Sequence, residues 1–177
     1  MLAVQNGDVG RLETLFERHH RGLYHYFLHL TSNIAVSEDL VQEVFFRILK
    51  YRHTYQAGAP VRSWMFQIGR NALSDHVGRN KNQVALGESA EQFSSPEALP
   101  DRQAQTKEET ALLKRALSAL PEEKREVIVM SRFLELRHEE IANVLNVEVG
   151  AVKVRVHRAL RELAAQFFAL RGERASS

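Results

Sequence analysis

Apolar residues recur at helical spacing along almost the whole of this 177-residue chain, and strand-like alternation is nearly absent. At about 100° per residue, Leu12, Leu15, Phe16, Leu23, Phe27 and Leu30 fall on one stripe. Leu40, Val41, Val44, Phe45, Ile48 and Leu49 form a second, and Val61 to Val77 gives a third with Trp64, Met65, Ile68 and Ala72. Each stripe is wide enough to bury one face of a helix against its neighbours, so the three together predict a small helical bundle. Ser37 reads as the N-cap of the second helix, with Glu38 and Asp39 in the first turn, where their charge suits the helix dipole. The loop YRHTYQAGAP separates the second helix from the third.

Asn82 to Lys107 breaks the pattern: it holds two of the four prolines, three serines and a glycine, with no sustained apolar period. This segment reads as a linker, whose reach at roughly 3.3 Å per extended residue approaches about 85 Å. Beyond it, Leu112, Leu113, Ala116, Leu117 and Leu120 mark a helix that LPEE interrupts, with Pro121 suited to the first position of the next. Val127, Ile128 and Leu134 continue the period. The expected fold is all-α, with two small helical domains over 1–81 and 108–177 joined by a flexible linker over 82–107.

The stretch VGAVKVRVHRALREL, Val149 to Leu163, is two-sided. Val152, Val156, Ala159, Leu160 and Leu163 gather on one face, and Lys153, Arg155, His157, Arg158 and Arg161 on the other. It follows HEEIANVLN closely, and the pair has what a helix-turn-helix needs. Ala142 is small where the helices cross, Asn146 tolerates a left-handed turn, and Val152 offers an apolar contact back. The second helix would place Lys153, Arg155, His157 and Arg158 at base edges in the major groove. Net charge is only +2, so it is the one-sided distribution, and not the total, that points to an anionic partner. An ordinary amphipathic pair with a solvated basic face is the alternative.

Two further faces stand out. With Leu40, Val41, Val44, Phe45 and Ile48 turned to the core, the second helix projects Asp39, Gln42, Glu43, Phe46 and Lys50 outward, and an exposed Phe46 ringed by polar groups suits protein docking. The alternative is that Phe46 packs on a neighbouring helix. The loop and third helix mix Tyr51, Tyr55, Trp64 and Phe66 with Arg52, Arg62, Arg70, Arg79 and Lys81, a composition suited to stacking unpaired bases and neutralising phosphate. Taken alone this pattern is weak, because Trp64 and Phe66 are residue types found more often in a core than stacked on bases.

Other chemistries find little support. There is no cysteine, hence no disulfide frame or thiolate metal site, and no apolar run of eighteen residues or signal-like start, so a cytoplasmic protein without membrane insertion is expected. His25 and His29 stand at i, i+4, a spacing that can hold a metal, but no third ligand is marked out, and a solvated histidine-rich face is the expectation. Glycine-rich phosphate loops and nucleophile elbows are missing, so neither catalysis, metal nor cofactor is expected.

EDLVQEVFFRILK, then RSWMFQIGRNALSDHVGR, and after the linker LPEEKREVIVMSRFLELRHEEIANVLNVEVGAVKVRVHRALREL, together resemble the extracytoplasmic-function sigma factors of the sigma-70 family in its compact form. The resemblance implies a transcription initiation factor, not an enzyme, that binds core RNA polymerase and directs it to a subset of bacterial promoters. Asp39, Gln42, Glu43 and Phe46 match the helix that binds the clamp helices of the polymerase β′ subunit, and the β flap is a second implied contact. The loop from Arg52 to Pro60, with His53 and Tyr55, and the helix carrying Arg62, Trp64, Gln67, Arg70, Asn71 and Asp75 match the segment that melts and reads the −10 element. Lys153, Val154, Arg155, His157 and Arg158 match the −35 recognition helix. An anti-sigma factor is implied as a further partner. Ala151 and Val154 stand where the family often has Thr and Ser, which removes two hydroxyls from possible phosphate contacts. A conventional helix-turn-helix regulator acting on DNA without polymerase is the alternative function.

Overall fold

The computed structural model describes the backbone of residues 1–85 and 104–175, and the side chains of residues 1–79 and 108–172. A short helix α1 (Leu2–Gln5) leads into α2 (Arg11–Thr31) and α3 (Ile34–Tyr51), which form a tight antiparallel pair. Two residues make the corner. Ser32 is left-handed at φ 55°, and the Asn33 side chain caps α3 by accepting the Val36 N–H at 3.1 Å. Ser37 is therefore not the cap: it is buried inside the helix, and its hydroxyl donates to the Asn33 carbonyl at 2.5 Å. Asn caps as well as Ser does, and starting one turn earlier lets Val36 pack against the core.

A single 3₁₀ turn (Arg52–Thr54) and a loop connect α3 to α4 (Val61–Ala85). Gly69 sits where α4 meets the other two helices. A Cβ there would stand 3.3 Å from Phe27 Cζ and 3.6 Å from both Leu23 Cδ2 and Val44 Cγ2, so the missing side chain lets α4 settle closely. Backbone helix continues through Ala85 and resumes at α5 (Ala104–Ser118), so both ends of the segment read as linker are helical; residues 86–103 lie outside the described residues.

The second half consists of α5, α6 (Glu122–Ile128), a π-helical turn (Val129–Phe133), α7 (His138–Leu145) and α8 (Val149–Ala175). Pro121 is the N-cap of α6, one residue before the position expected for it, with φ −52° and extended ψ. Glu135 takes a left-handed φ of 52° after the π turn, and Leu134 and Leu136 on either side of it are both buried. Asn146 closes α7 at φ 52°, ψ 53°, its N–H bonded to the Ala142 carbonyl, and α8 follows after three residues.

The two halves are packed on each other. One continuous core runs from Leu23, Tyr26 and Phe27 of α2 through Met65 and Phe66 of α4 to Ile128, Met130, Ile141 and Val152 of the second half. The π turn and α6 meet α2, and α7 lies along α4. Fully burying a side chain such as Ile128 or Met130 stabilises by about 1.5–3 kcal/mol, so the shared core contributes substantially to this arrangement.

Candidate nucleic-acid interface

Helix α8 keeps its apolar and basic residues on opposite faces. Val152, Val156 and Ala159 are buried, with Leu160 and Leu163 packed against the core, which fixes the rotation of α8. Lys153, Val154, Arg155, His157 and Arg158 are all exposed on its opposite side. No ion pair among the described residues engages Lys153, Arg155 or Arg158, so their charge faces outward unneutralised. Upstream, the Glu140 carboxylate accepts the Arg137 N–H at 2.9 Å and secures the start of α7. Ala142 and Val152 are buried at the crossing of α7 and α8.

On α3, Phe46 is 62% exposed while Leu40, Val41, Val44, Phe45 and Ile48 are buried, so the helix presents one large aromatic to solvent beside exposed Asp39 and Gln42. Glu43 is half-buried and accepts from Arg47 Nε at 2.6 Å. Arg47 reaches Asp75 of α4 as well, at 2.8 Å, and so ties this face of α3 to the helix behind it. Phe16, counted in the core stripe, is exposed instead; it stacks on His20 at 4.7 Å and leans on Phe45.

The loop after α3 is held from three sides. Tyr55 is buried; its hydroxyl donates to the Ala59 carbonyl and its ring meets Trp64 edge-on at 5.3 Å. Its place is thus inside the loop it braces, not on the solvent face where a stacking platform would stand. Gln5 of α1 donates to the Tyr55 carbonyl at 2.9 Å and the His53 carbonyl at 3.3 Å. His53, Gln67, Asn71 and Asp75 are exposed, Arg52, Arg62, Trp64 and Arg70 are half-buried, and Phe66 is core. A cleft of about 700 Å³ opens between this loop and the helix-turn-helix, with Gln56, Trp64 and Gln67 on one wall and Asn143 and Asn146 on the other.

Relatives carry the same architecture. Residues 15–83 match the Sigma-70 region 2 family, and residues 110–163 match Sigma-70, region 4. ECF RNA polymerase sigma factor SigL of Mycobacterium tuberculosis is 30% identical over 157 residues, covering 88% of each chain. The chain belongs to the extracytoplasmic-function sigma factors. SigM of Bacillus subtilis, another ECF RNA polymerase sigma factor, is 27% identical over 158 residues, covering 88% of this chain and 94% of its own. The fold is similar to that of the sigma factor RpoE from Bartonella quintana, solved in complex with the anti-sigma factor NepR, with a TM-score of 0.72 at 22% identity over 87% of this chain and 94% of that one. CnrH, solved in complex with the cytosolic domain of CnrY, gives 0.71 at 24% identity over 95% and 94%.

In this sigma factor the docking and −10 candidates fall within region 2, and the −35 candidates within region 4. Several residues that organise these faces escape sequence inspection. Gln5 and Arg47 act through a loop and a salt bridge, and no periodicity marks them. Tyr26 and Glu126 are hidden more deeply: the Tyr26 hydroxyl donates to Glu126 Oε1 at 2.7 Å from the opposite half. Burial, and then the adjacent Glu126 carboxylate, push the Tyr26 phenol well above its ordinary value, so it stays a proton donor. Three of the α2 histidines meet aromatic neighbours: His20 meets Phe16, His25 meets Tyr24, and His29 meets Phe133 at 4.1 Å. Among the described residues no three metal-ligating side chains come together, and no helix is long and apolar enough to cross a membrane.

Proposed function

We propose that this sigma factor docks on core RNA polymerase through Asp39, Gln42, Glu43 and Phe46, and divides promoter recognition between its halves. The observation that carries this reading is the pairing of two differently built faces in one chain: an exposed aromatic in a polar ring on α3, and an unneutralised basic face on α8. A regulator that binds DNA alone needs the second but has no use for the first. Phe46 would enter an apolar contact on the β′ clamp helices while the polar ring sets orientation. Arg52, His53, Arg62, Trp64, Gln67, Arg70, Asn71 and Asp75 would meet the melted −10 strand, with Tyr55 bracing their loop from within. Melting costs a few kcal/mol per base, offset by capturing extruded bases and their phosphates. Lys153, Val154, Arg155, His157 and Arg158 would read the −35 element, Val154 being suited to a thymine methyl.

On this reading the chain has no catalytic residues, the chemistry belongs to the polymerase, and the site of action is the cytoplasm. An anti-sigma factor would compete for the Phe46 face, and the β flap would hold region 4. The decisive experiment is run-off transcription with purified core polymerase on sheared DNA from the source genome. Discrete new transcripts sharing upstream elements at fixed spacing support promoter selection. If core gains no specificity while the protein alone shifts DNA, the conventional helix-turn-helix regulator is correct. Phe46→Ala and Glu43→Lys should weaken core binding in titration, and wild-type affinity in both would refute the docking assignment.

A further inference from the structure

We propose that Glu126 is an internal competitor for promoter DNA: from region 4 its carboxylate occupies Arg70 of the −10-reading helix and latches the chain shut until that strand displaces it. Glu126 stands on α6 with its side chain only 8% exposed. Arg70 Nε donates to its Oε1 at 3.0 Å and its Oε2 at 3.3 Å, and the Tyr26 hydroxyl donates to Oε1 at 2.7 Å. Each of these side-chain hydrogen bonds to Glu126 crosses to the other half. The Arg70 Nε–H that points into this buried carboxylate cannot also be given to a phosphate, and the ion pair neutralises the guanidinium that a phosphate would seek, so a DNA phosphate and Glu126 compete for Arg70.

The surrounding contacts make the closure a cover as well as a clasp. Arg62, a second −10 candidate, donates to the Leu134 carbonyl, and Arg125 Nη1 donates back to the Leu30 carbonyl at 3.1 Å. Asn143 and Asn146 face Trp64 and Gln67 across the cleft described above, so region 4 stands over the loop that would take the strand. The latch is also releasable. Burying a carboxylate against a guanidinium costs desolvation that largely offsets their attraction, and both groups recover water when the halves part.

This inference rests on the −10 assignment of Arg70. The chain has no cysteine, so Glu17→Cys on α2 and Glu139→Cys on α7 give two unique sites for a fluorescent donor and acceptor. In the labelled full-length chain, Glu126→Gln should lower energy transfer and raise affinity for a short mixed-sequence DNA single strand by roughly fivefold or more. Adding Arg70→Gln should abolish that gain in affinity while transfer stays low. A Glu126→Gln chain that keeps both its transfer and its DNA affinity overturns the latch, as does a gain that survives the loss of Arg70. Should Glu126→Gln lose helix content by circular dichroism, the labelled wild-type chain decides: saturation with the single strand lowers transfer if the latch exists, and unchanged transfer overturns it. Run-off transcription separates the two ideas, because a chain that selects promoters yet keeps its transfer on binding DNA loses the latch and keeps its sigma assignment.

Discussion

Asn146 holds the turn of the helix-turn-helix at φ 52°, ψ 53°, a conformation that costs most L-residues roughly 1–2 kcal/mol and glycine nothing. Asn146→Gly should therefore leave stability unchanged or slightly raised, while Asn146→Val should lower it by about 1–2 kcal/mol in urea denaturation. Equal stability of the two variants would show that the turn relaxes without a left-handed residue. This position is legible in the sequence because Asn between two apolar helical stripes has few other uses. Glu126 is not, since a glutamate in PEEKREV looks like any solvated charge until another half of the chain closes over it.

Among the elements, α4 depends most on what it lacks. A Cβ at Gly69 would already touch Leu23 and Val44 at 3.6 Å and press on the Phe27 ring at 3.3 Å, so a side chain that branches beyond it has no room. Gly69→Val should push α4 off α2 and α3 and destabilise by about 1–3 kcal/mol, read as a fall in thermal midpoint; an unchanged midpoint would mean that α4 slides at no cost. Helix existence and the buried stripes are readable from period alone. The start of α3 is not, because Ser37 and Asn33 both suit a cap, and only the corner geometry, with Ser32 left-handed, selects Asn33 one turn earlier.

For the whole molecule, the contact between halves should depend on pH. His29 packs on Phe133 across it, and burial, followed by His25 and Lys114 nearby, holds its imidazole below the ordinary 6.5. His19 is lowered in the same sense, by burial and then by Arg62 and Arg18. Above about pH 7 both imidazoles are neutral whether the chain is packed or unfolded, so neither affects stability. As pH falls through 6.5 the unfolded chain takes up protons that the packed chain resists, and stability declines until the lowered values are reached. Urea midpoints should fall from about pH 7.5 to about pH 5.5, and His29→Gln should flatten that fall; an identical slope in the variant would remove His29 as the cause.

Periodicity and backbone preference within a few turns of chain suffice for the long helices, the basic face of α8, the turn at Asn146 and the exposed Phe46, but not for α1 or the helical ends of the segment read as linker. Long-range packing is what brings Tyr26 to Glu126, engages Arg62 and Arg70 with region 4, and turns Tyr55 inward to brace its loop. Those outcomes depend on which surfaces two separately patterned halves bring together, and a contact across a hundred residues leaves no trace in local spacing.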